Sequence, residues 1–401
     1  MKILFLSAWF PFPPRNGSEL RIYNLLRGLG QQHEVTLLSF ADDLAAAAAA
    51  EPLWTGICEQ VTAVPRPAFN PHSWPARMGF FSPKPRSIID TYSPAMADQV
   101  QQAVDNDSLP NNRCDLVIAS QTMMAAYAHL FNGIPALFEE VEIALLHEQY
   151  TQANSWRDRL RRGLTWHKHR RYLAHLLDHF RAATVVSEQE RTLLRQTVSD
   201  QGVVKVVPNC VDVSSYPGVT AVPQPATLIY TGSFGYHVNH DAMCWYLSKV
   251  HPLVETAVPE VEVIITGDHK GLPLPPARNV RLTGFVADVR PYIASATISL
   301  APILSGGGTR LKILEAMALH TPVVSTSKGA EGLDVEPGHH LLIADTPAEF
   351  GAAIISLLRD PARAQYLTAN AYQLVSTRYN WKSVLPNFLR LVEQTSASSQ
   401  R

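Results

Sequence analysis

Two doubly wound α/β domains, each built on a parallel sheet, are the fold this sequence predicts, and three observations carry the prediction. Near the N-terminus, residues 2–7 and Val35–Phe40 are short apolar runs separated by a helical pattern over Glu19–Leu29 that stops at Gly30. That β–α–β order implies parallel strands joined by right-handed crossovers. In the second half, Thr227–Tyr230, Val261–Thr266, Val280–Leu282, Ile298–Ala301 and Pro322–Ser325 repeat the strand pattern, with helices between most of them. At 401 residues the chain can hold two such domains of about 200 residues each.

The remaining elements follow in order. Ala45–Ala50 is a low-complexity tract expected as a surface helix. The proline-rich stretch from Pro65 to Pro94 should form loops and short turns, because proline lacks an N–H and breaks helices. Asp115–Ser120 and Ala136–Phe138 resume the strand pattern, and Thr184–Ser187 closes the first half. Val203–Val207 reads as the strand that opens a second unit, followed by a proline-containing linker over residues 217–225. Trp381–Thr395 is the last helix, and no internal repeat at a fixed period is present.

Composition narrows the classes. With 46% hydrophobic and 17% charged residues the chain is globular and not disordered. A formal net charge of −1 gives no global attraction to nucleic acid or anionic membranes, so any basic surface is local. Cys58, Cys114, Cys210 and Cys244 lie far apart without paired spacing, which argues against a disulfide framework or a zinc site and suits a reducing cytosol. The first residues carry one basic side chain, a very short apolar run and no small-residue cleavage site before Pro11. They read as a buried strand in preference to a signal peptide. No run reaches the ~20 apolar residues that span a bilayer. Residues 156–181 form a long helical pattern with eight Lys or Arg, two Asp and four His around Trp156, Leu160, Leu164, Tyr172, Leu173 and Leu176. Such a helix suits peripheral contact with anionic lipid on the inner face of a membrane, or packing on the core with a solvated face. Lacking aromatic stacking motifs and a basic domain, the chain is not expected to bind nucleic acid.

The motif richest in chemistry spans residues 303–332. A strand ends at Ile303, Gly306-Gly307-Gly308-Thr309 form a loop, and Arg310, Lys312 and Glu315 sit in the first turns of the helix that follows. A second buried strand and a second glycine loop, Gly329 to Gly332, complete it. A strand–glycine loop–helix junction presents unpaired N–H groups and the positive end of the helix dipole, which suits a phosphate. Consecutive glycines let an anion approach the backbone without meeting a Cβ. Arg310 and Lys312 add positive charge, and Glu315 adds an acceptor for hydroxyl groups. Diphosphate and sugar or ribose hydroxyls in one place point to a nucleotide-sugar. The plainer alternative is a solvated Glu315 that pairs with Lys312 three residues away, contributing about 0.2–0.5 kcal/mol.

This stretch resembles the C-terminal signature of the family 4 glycosyltransferases, and the similarity runs over most of the chain, strongest from about Val203 to Trp381. Residues Lys312–Met317 followed by Pro322-Val323-Val324 carry the match, within a subset that has a Gly-Gly-Gly-Thr-Arg loop. The resemblance implies the GT-B fold: two Rossmann-like, doubly wound parallel-sheet domains facing across a cleft. It implies an acceptor-side domain over residues 1–202, a nucleotide-sugar-binding domain over 203–380, and a helix over 381–401 that crosses back to the first domain. It further implies that Glu315 binds the donor's ribose hydroxyls and that Arg310 and Lys312 neutralise the leaving diphosphate. Backbone amides of Gly306, Gly307, Gly308 and Thr309 would anchor the donor, since many relatives carry a Glu where this chain has Gly307.

Other segments enter through the same resemblance. Similar proteins hold donor phosphates at the turn containing Gly232 and Ser233; here His237, Asn239 and His240 follow in place of Lys or Arg, and an ordinary strand–helix turn is the alternative. Phe285 and Val286 look like the base-binding segment, whose backbone pairs with the nucleobase edge, unless Phe285 is simply core at a strand end. Gly17 matches one of two glycines that relatives place beside the donor sugar and acceptor, with Asn16 in the other's position. Where many relatives have a His, Leu137–Glu142 offers carboxylates. Of these, Glu140 or Glu142 suits orienting an acceptor hydroxyl, and exposed acidic loop residues are the simpler account. Arg21 either faces the cleft or is a solvated helix residue.

The expected activity is that of a cytoplasmic hexosyltransferase-type enzyme. It would transfer a sugar, with retention, from a nucleoside diphosphate sugar to a hydroxyl of a glycan, lipid-linked or small-molecule acceptor. The resemblance implies no metal and no other cofactor, and a place in surface polysaccharide or glycan biosynthesis. Gly307 and the missing His motivate a second reading, a degenerate transferase-like subunit that binds nucleotide-sugar or a partner without turnover. A nucleotide-sugar epimerase on the same fold is a third, and it would convert donor without any acceptor. A nicotinamide oxidoreductase is disfavoured, because no Gly-x-Gly-x-x-Gly follows the first strand.

Overall fold

The computed structural model describes residues 1–105, 114–153, 155–198, 202–307 and 310–397. The chain divides into a unit of residues 1–208 with 385–401, and a unit of residues 209–384. In the first unit the apolar runs become β1 (Lys2–Ser7), β2 (Glu34–Ala41), β3 (Gln60–Pro65), β4 (Leu116–Ser120), β5 (Ala136–Glu139), β6 (Ala182–Val185) and β7 (Val203–Val206). All pair in parallel, in the order β3-β2-β1-β4-β5-β6-β7. Near-continuous burial along β1, β2, β4, β5 and β6 is what a parallel sheet covered on both faces requires.

The second unit holds β8 (Thr227–Thr231), β9 (Glu262–Thr266), β10 (Val280–Gly284), β11 (Ile298–Ala301), β12 (Val323–Ser325) and β13 (Leu342–Ile343). They too are parallel, in the order β10-β9-β8-β11-β12-β13. Both sheets therefore reverse direction of winding beside their first strand, between β1 and β4 and between β8 and β11. Loops leaving the carboxyl ends of strands at such a switch point are where open α/β sheets bind ligands.

Four details depart from the sequence expectation. β7 pairs Ala182–Val185 with Val203–Val206, so residues 203–206 complete the first sheet instead of opening the second. β3 was hidden because it is a half-buried edge strand ending at Pro65, a residue that edges tolerate. Within the proline-rich stretch, Trp74–Met78 and Arg86–Asp90 are short helices, the first with proline in its opening turn, where no helical hydrogen bond is lost. β13 is only two residues long, too short to read as a pattern.

The helix Trp381–Ala397 contains Pro386, and its residues from Leu385 onward belong to the first unit. There Leu385 lies so close to the helix Gly17–Leu29 that a Cβ at Gly28 would come within 2.7 Å of Leu385 Cδ2. At Gly30, which closes that helix, a Cβ would collide with the backbone Ile57 O, which cannot swing aside as a leucine methyl can, so Gly30→Ala is expected to lower the melting temperature of the full chain in a calorimetric scan.

Candidate functional site

The strongest constellation in the second unit lies at the carboxyl ends of β8 and β11, the strands flanking its switch point. After β11 the chain turns through Gly306, at φ +89°, where a Cβ would sit 2.6 Å from Tyr236 Oη. Only glycine fits there without strain. Gly307 follows in the same loop, and Gly308 and Thr309 fall outside the described residues. Arg310 then precedes the helix Leu311–Ala318 and folds back on the loop. Its Nη2 donates to Gly306 O at 2.7 Å and to Ser305 O at 3.3 Å, with only 9% of the residue exposed. Arg310 Nε has no hydrogen-bond partner among the described residues.

Lys312 points into the same region. Its Nζ donates to Asn239 Oδ1 at 3.1 Å and stands 3.9 Å from the centroid of the buried Tyr230 ring. Asn239 is held from both ends: Oδ1 also accepts from Tyr230 Oη at 2.7 Å, while Nδ2 donates to Ser233 O at 2.8 Å. Burial, then the nearby Arg310 charge, push the Lys312 ammonium down to about 7, partly offset by Glu315. Among the described residues neither Arg310 nor Lys312 closes an ion pair with a carboxylate. A surface Lys312–Glu315 pair is thus not what forms. Arg310 is buried and Lys312 partly buried, without an ion-paired carboxylate among the described residues; that is unfavourable, and an anion beside them would offset the cost.

Glu315 lies one helical turn further on. Burial raises its carboxyl above the ordinary range; Lys312 lowers it, Asp288 raises it and Arg290 lowers it. Asp288 and Arg290 form a salt bridge at 2.8 Å, and Arg290 Nη1 donates to Ser215 O at 2.7 Å. Glu315 also contributes, after burial, to raising the Tyr216 hydroxyl. So Glu315 is a partly buried residue within a charged group with Lys312, Asp288 and Arg290, not a fully solvated first-turn residue.

The β8 turn is compact for an identifiable reason. A Cβ on Gly232 would lie 2.9 Å from Asn239 Nδ2, and one on Gly267 only 2.6 Å from Gly232 O. The two glycines let these backbones meet, and Ser233 Oγ donates to Asp268 O at 3.1 Å. Gly232 and Ser233 are thereby joined through Asn239 to Lys312. Phe285, in contrast, is 75% exposed and Val286 is partly buried, so Phe285 is no part of the core. Asn239, Tyr230 and Gly267 are the site residues that pattern reading missed; the absence of Lys or Arg after Ser233 was the one signal pointing to Asn239.

In the first unit the carboxylates after β5 divide by environment. Glu139 is fully buried, paired with Arg21 at 2.6 Å, and accepts from Ser120 Oγ at 2.7 Å. Arg21 is 1% exposed and also donates to Val207 O at 2.9 Å. It is therefore a buried structural cation and not a solvated helix residue, because its helix turns that face onto the sheet. Glu140 takes a left-handed backbone, φ +59°, as does Gln121, φ +69°, at the end of β4. Their side chains meet, Gln121 Nε2 donating to Glu140 Oε2 at 2.9 Å, and Trp9 Nε1 donates to Gln121 Oε1 at 3.0 Å. Burial pushes Glu140 up to about 7; Arg21 lowers it and Glu139 raises it. Glu142 alone is exposed, as the simpler account had it. Gly17 is exposed at the start of its helix, behind an Asn16 cap that accepts from Glu19 N at 3.0 Å.

Comparison with known proteins bears on the fold and the family of the chain. Phosphatidyl-myo-inositol mannosyltransferase of Mycobacterium leprae is 28% identical over 214 residues, 49% of this chain and 54% of its own. An uncharacterized 44.6 kDa protein in the cps region of Klebsiella pneumoniae is 26% identical over 174 residues, 41% of this chain and 45% of its own. The chain thus spans about half the length of the curated relatives it matches. Among solved structures, HepE of Anabaena in complex with UDP and glucose superposes with a TM-score of 0.64 at 18% identity, covering 98% of this chain and 100% of that one. Sucrose-phosphate synthase of Thermosynechococcus elongatus gives a TM-score of 0.67 at 16% identity, with both chains fully covered. At such identities the likeness speaks for the fold, which is GT-B, with two parallel-sheet α/β units. A family model described as glycosyl transferases group 1 matches residues 225–360, and one described as glycosyltransferase family 4 matches residues 15–215, half of the chain. The chain belongs to glycosyltransferase family 4.

Proposed function

We propose that this protein transfers a sugar from a nucleoside diphosphate sugar to a hydroxyl acceptor, with retention at the anomeric carbon. The observation that carries the reading is a pair of cations beside a glycine turn, buried Arg310 and partly buried Lys312, neither of which closes an ion pair with a carboxylate among the described residues. Such a pocket calls for a permanent anion, and a diphosphate supplies one. Glu315, one turn away, would accept the ribose hydroxyls, and the backbone of Gly232, Ser233 and the Gly306–Gly307 loop would line the donor. The exposed Phe285–Val286 segment is proposed to meet the base. We assign donor binding to the second unit and acceptor binding to the first, where Glu140 is the group suited to orient a hydroxyl.

In the proposed step the acceptor oxygen bonds to the anomeric carbon as the bond from that carbon to the phosphate oxygen breaks. The acceptor proton passes to the departing diphosphate. Arg310 and Lys312 act where charge develops, which is where preorganised groups contribute most. Turnover and acceptor transfer separate this reading from a degenerate binding subunit. UDP and UDP with glucose appear with HepE, and mannosyl transfer in the name of the mycobacterial relative, so sugar donors of several nucleotides form the natural panel. The acceptor class we favour is a surface polysaccharide or glycan, in line with the resemblance, and the compartment the cytoplasm, which four free cysteines suit.

A thermal-shift panel of UDP-, GDP- and dTDP-sugars tests the core of this reading, since a ligand that binds the folded chain raises its melting temperature. One donor should stabilise, and with acceptor it should give product of unchanged anomeric configuration by NMR. Stabilisation by none of the panel would overturn the assignment. Glu315→Gln, which removes one of two carboxylate acceptors, should weaken that donor about tenfold by calorimetry, as loss of a hydrogen bond to a charged group does. Unchanged affinity would remove Glu315 from the site.

A further inference from the structure

The helix Trp156–Leu177 changes character along its length. Its last turns bury Tyr172, Leu173, Leu176 and Leu177 in the first unit's core. Its first turns leave Trp156, Leu160 and Leu164, a stripe at i, i+4 and i+8, between half and 70% exposed. These side chains line a groove of about 710 Å3 with Tyr150, Arg159 and Arg170. The helix carries seven Lys or Arg against one acidic residue, Asp158, in a chain whose net charge is −1.

A second exposed apolar segment stands beside it. Lys168 Nζ donates to Gly79 O at 3.1 Å and to Phe80 O at 2.8 Å, tying the helix to residues 74–81. There Trp74, Met78, Phe80 and Phe81 are all exposed, Phe81 by 88%, and the Arg86 guanidinium lies 3.9 Å over the Phe80 ring. Two unpartnered sets of aromatic and aliphatic side chains, laced with guanidiniums, thus occupy one region of the first unit.

We propose that this region docks the protein on an anionic lipid bilayer, lying in the headgroup layer without spanning it. Charge complementarity decides the occupant. A cluster of cations around amphipathic aromatic tips matches phosphate headgroups over an acyl boundary, whereas an apolar protein partner would leave the arginines unpaired. No helix among the described residues is long and apolar enough to cross a membrane. The proposal stands independently of the donor assignment.

Co-sedimentation of the full chain with vesicles of phosphatidylcholine, with and without phosphatidylglycerol, tests it. Binding should be at least about tenfold stronger to the anionic vesicles and should fall with added salt. Leu160→Glu with Leu164→Glu should abolish sedimentation, and Arg157→Glu with Arg159→Glu should lower the partition by about tenfold or more. Both pairs are exposed, and an unchanged melting temperature confirms that the variants fold. Equal binding to neutral vesicles, binding to neither, or variants that sediment like wild type would overturn the proposal. So would a wild-type dimer that Leu160→Glu converts to monomer, because a second copy would then be the occupant.

Discussion

Replacing Lys312 with methionine is expected to lower kcat/KM for donor and acceptor by roughly 100- to 1,000-fold, the loss seen when one preorganised charge is removed from a site of charge development. Methionine keeps the length and the apolar stem over the Tyr230 ring but cannot donate to Asn239 or meet a diphosphate. The variant should melt no lower than wild type, because desolvation already disfavours the Lys312 ammonium in the ligand-free fold. A steady-state assay and a melting curve on one preparation check both halves.

The pH dependence has two opposite signs. Lys312 titrates at about 7 in the folded chain and at 10.5 in an unfolded one. Between those values the unfolded chain holds the extra proton, so this group makes the ligand-free protein more stable as pH rises. Donor binding runs the other way, because the diphosphate favours the ammonium. Affinity should fall above about pH 7, by up to about tenfold per pH unit, and Lys312→Met should flatten that slope.

The second large effect concerns stability. Arg21→Met is expected to cost about 3–5 kcal/mol, the usual penalty for leaving one member of a buried ion pair uncompensated. Glu139 would remain fully buried with Ser120 as its one side-chain donor among the described residues, and Val207 O would lose its guanidinium partner. Glu140 would lose the charge that holds its carboxyl down, so it should titrate above about 7. Its raised value means that the folded chain binds the extra proton between 4.5 and about 7. Stability from this group therefore falls as pH rises through that window, and over a wider window in the variant. The double change Arg21→Met with Glu139→Leu should recover most of the loss, since a well-packed apolar pair can replace a buried ion pair. Urea unfolding of the full chain measures all three; a single-variant loss below about 1 kcal/mol would show that the pair is not structural.

What the sequence made legible was local. β1 and β4 announce themselves as apolar runs, and the triple glycine followed by Arg310, Lys312 and Glu315 marks a phosphate-suited junction because every feature falls within ten residues. The partners of those residues were not legible. Lys312 meets Asn239 across 73 positions, and Arg21 meets Glu139 across 118, so neither pairing leaves a periodic trace. Arg21 sits on an amphipathic helix where an arginine ordinarily points to water; only the buried carboxylate at the end of β5 explains its inward turn. Glu140 illustrates the same limit, since its left-handed backbone and its contact with Gln121 arise from two strand ends meeting. Phe285 shows the converse: of the two readings its sequence left open, base-binding segment or core at a strand end, the core one fails because the ring stands in solvent.

Calorimetric titration of the stabilising nucleotide-sugar at pH 8, in two buffers of different ionisation enthalpy, counts the protons taken up on binding. The donor's diphosphate does not titrate there, so a largely neutral Lys312 that becomes an ammonium against it should take up about one proton per donor bound, and Lys312→Met none. Tight binding by wild type with no proton uptake, or equal uptake by Lys312→Met, would contradict a diphosphate held by this lysine.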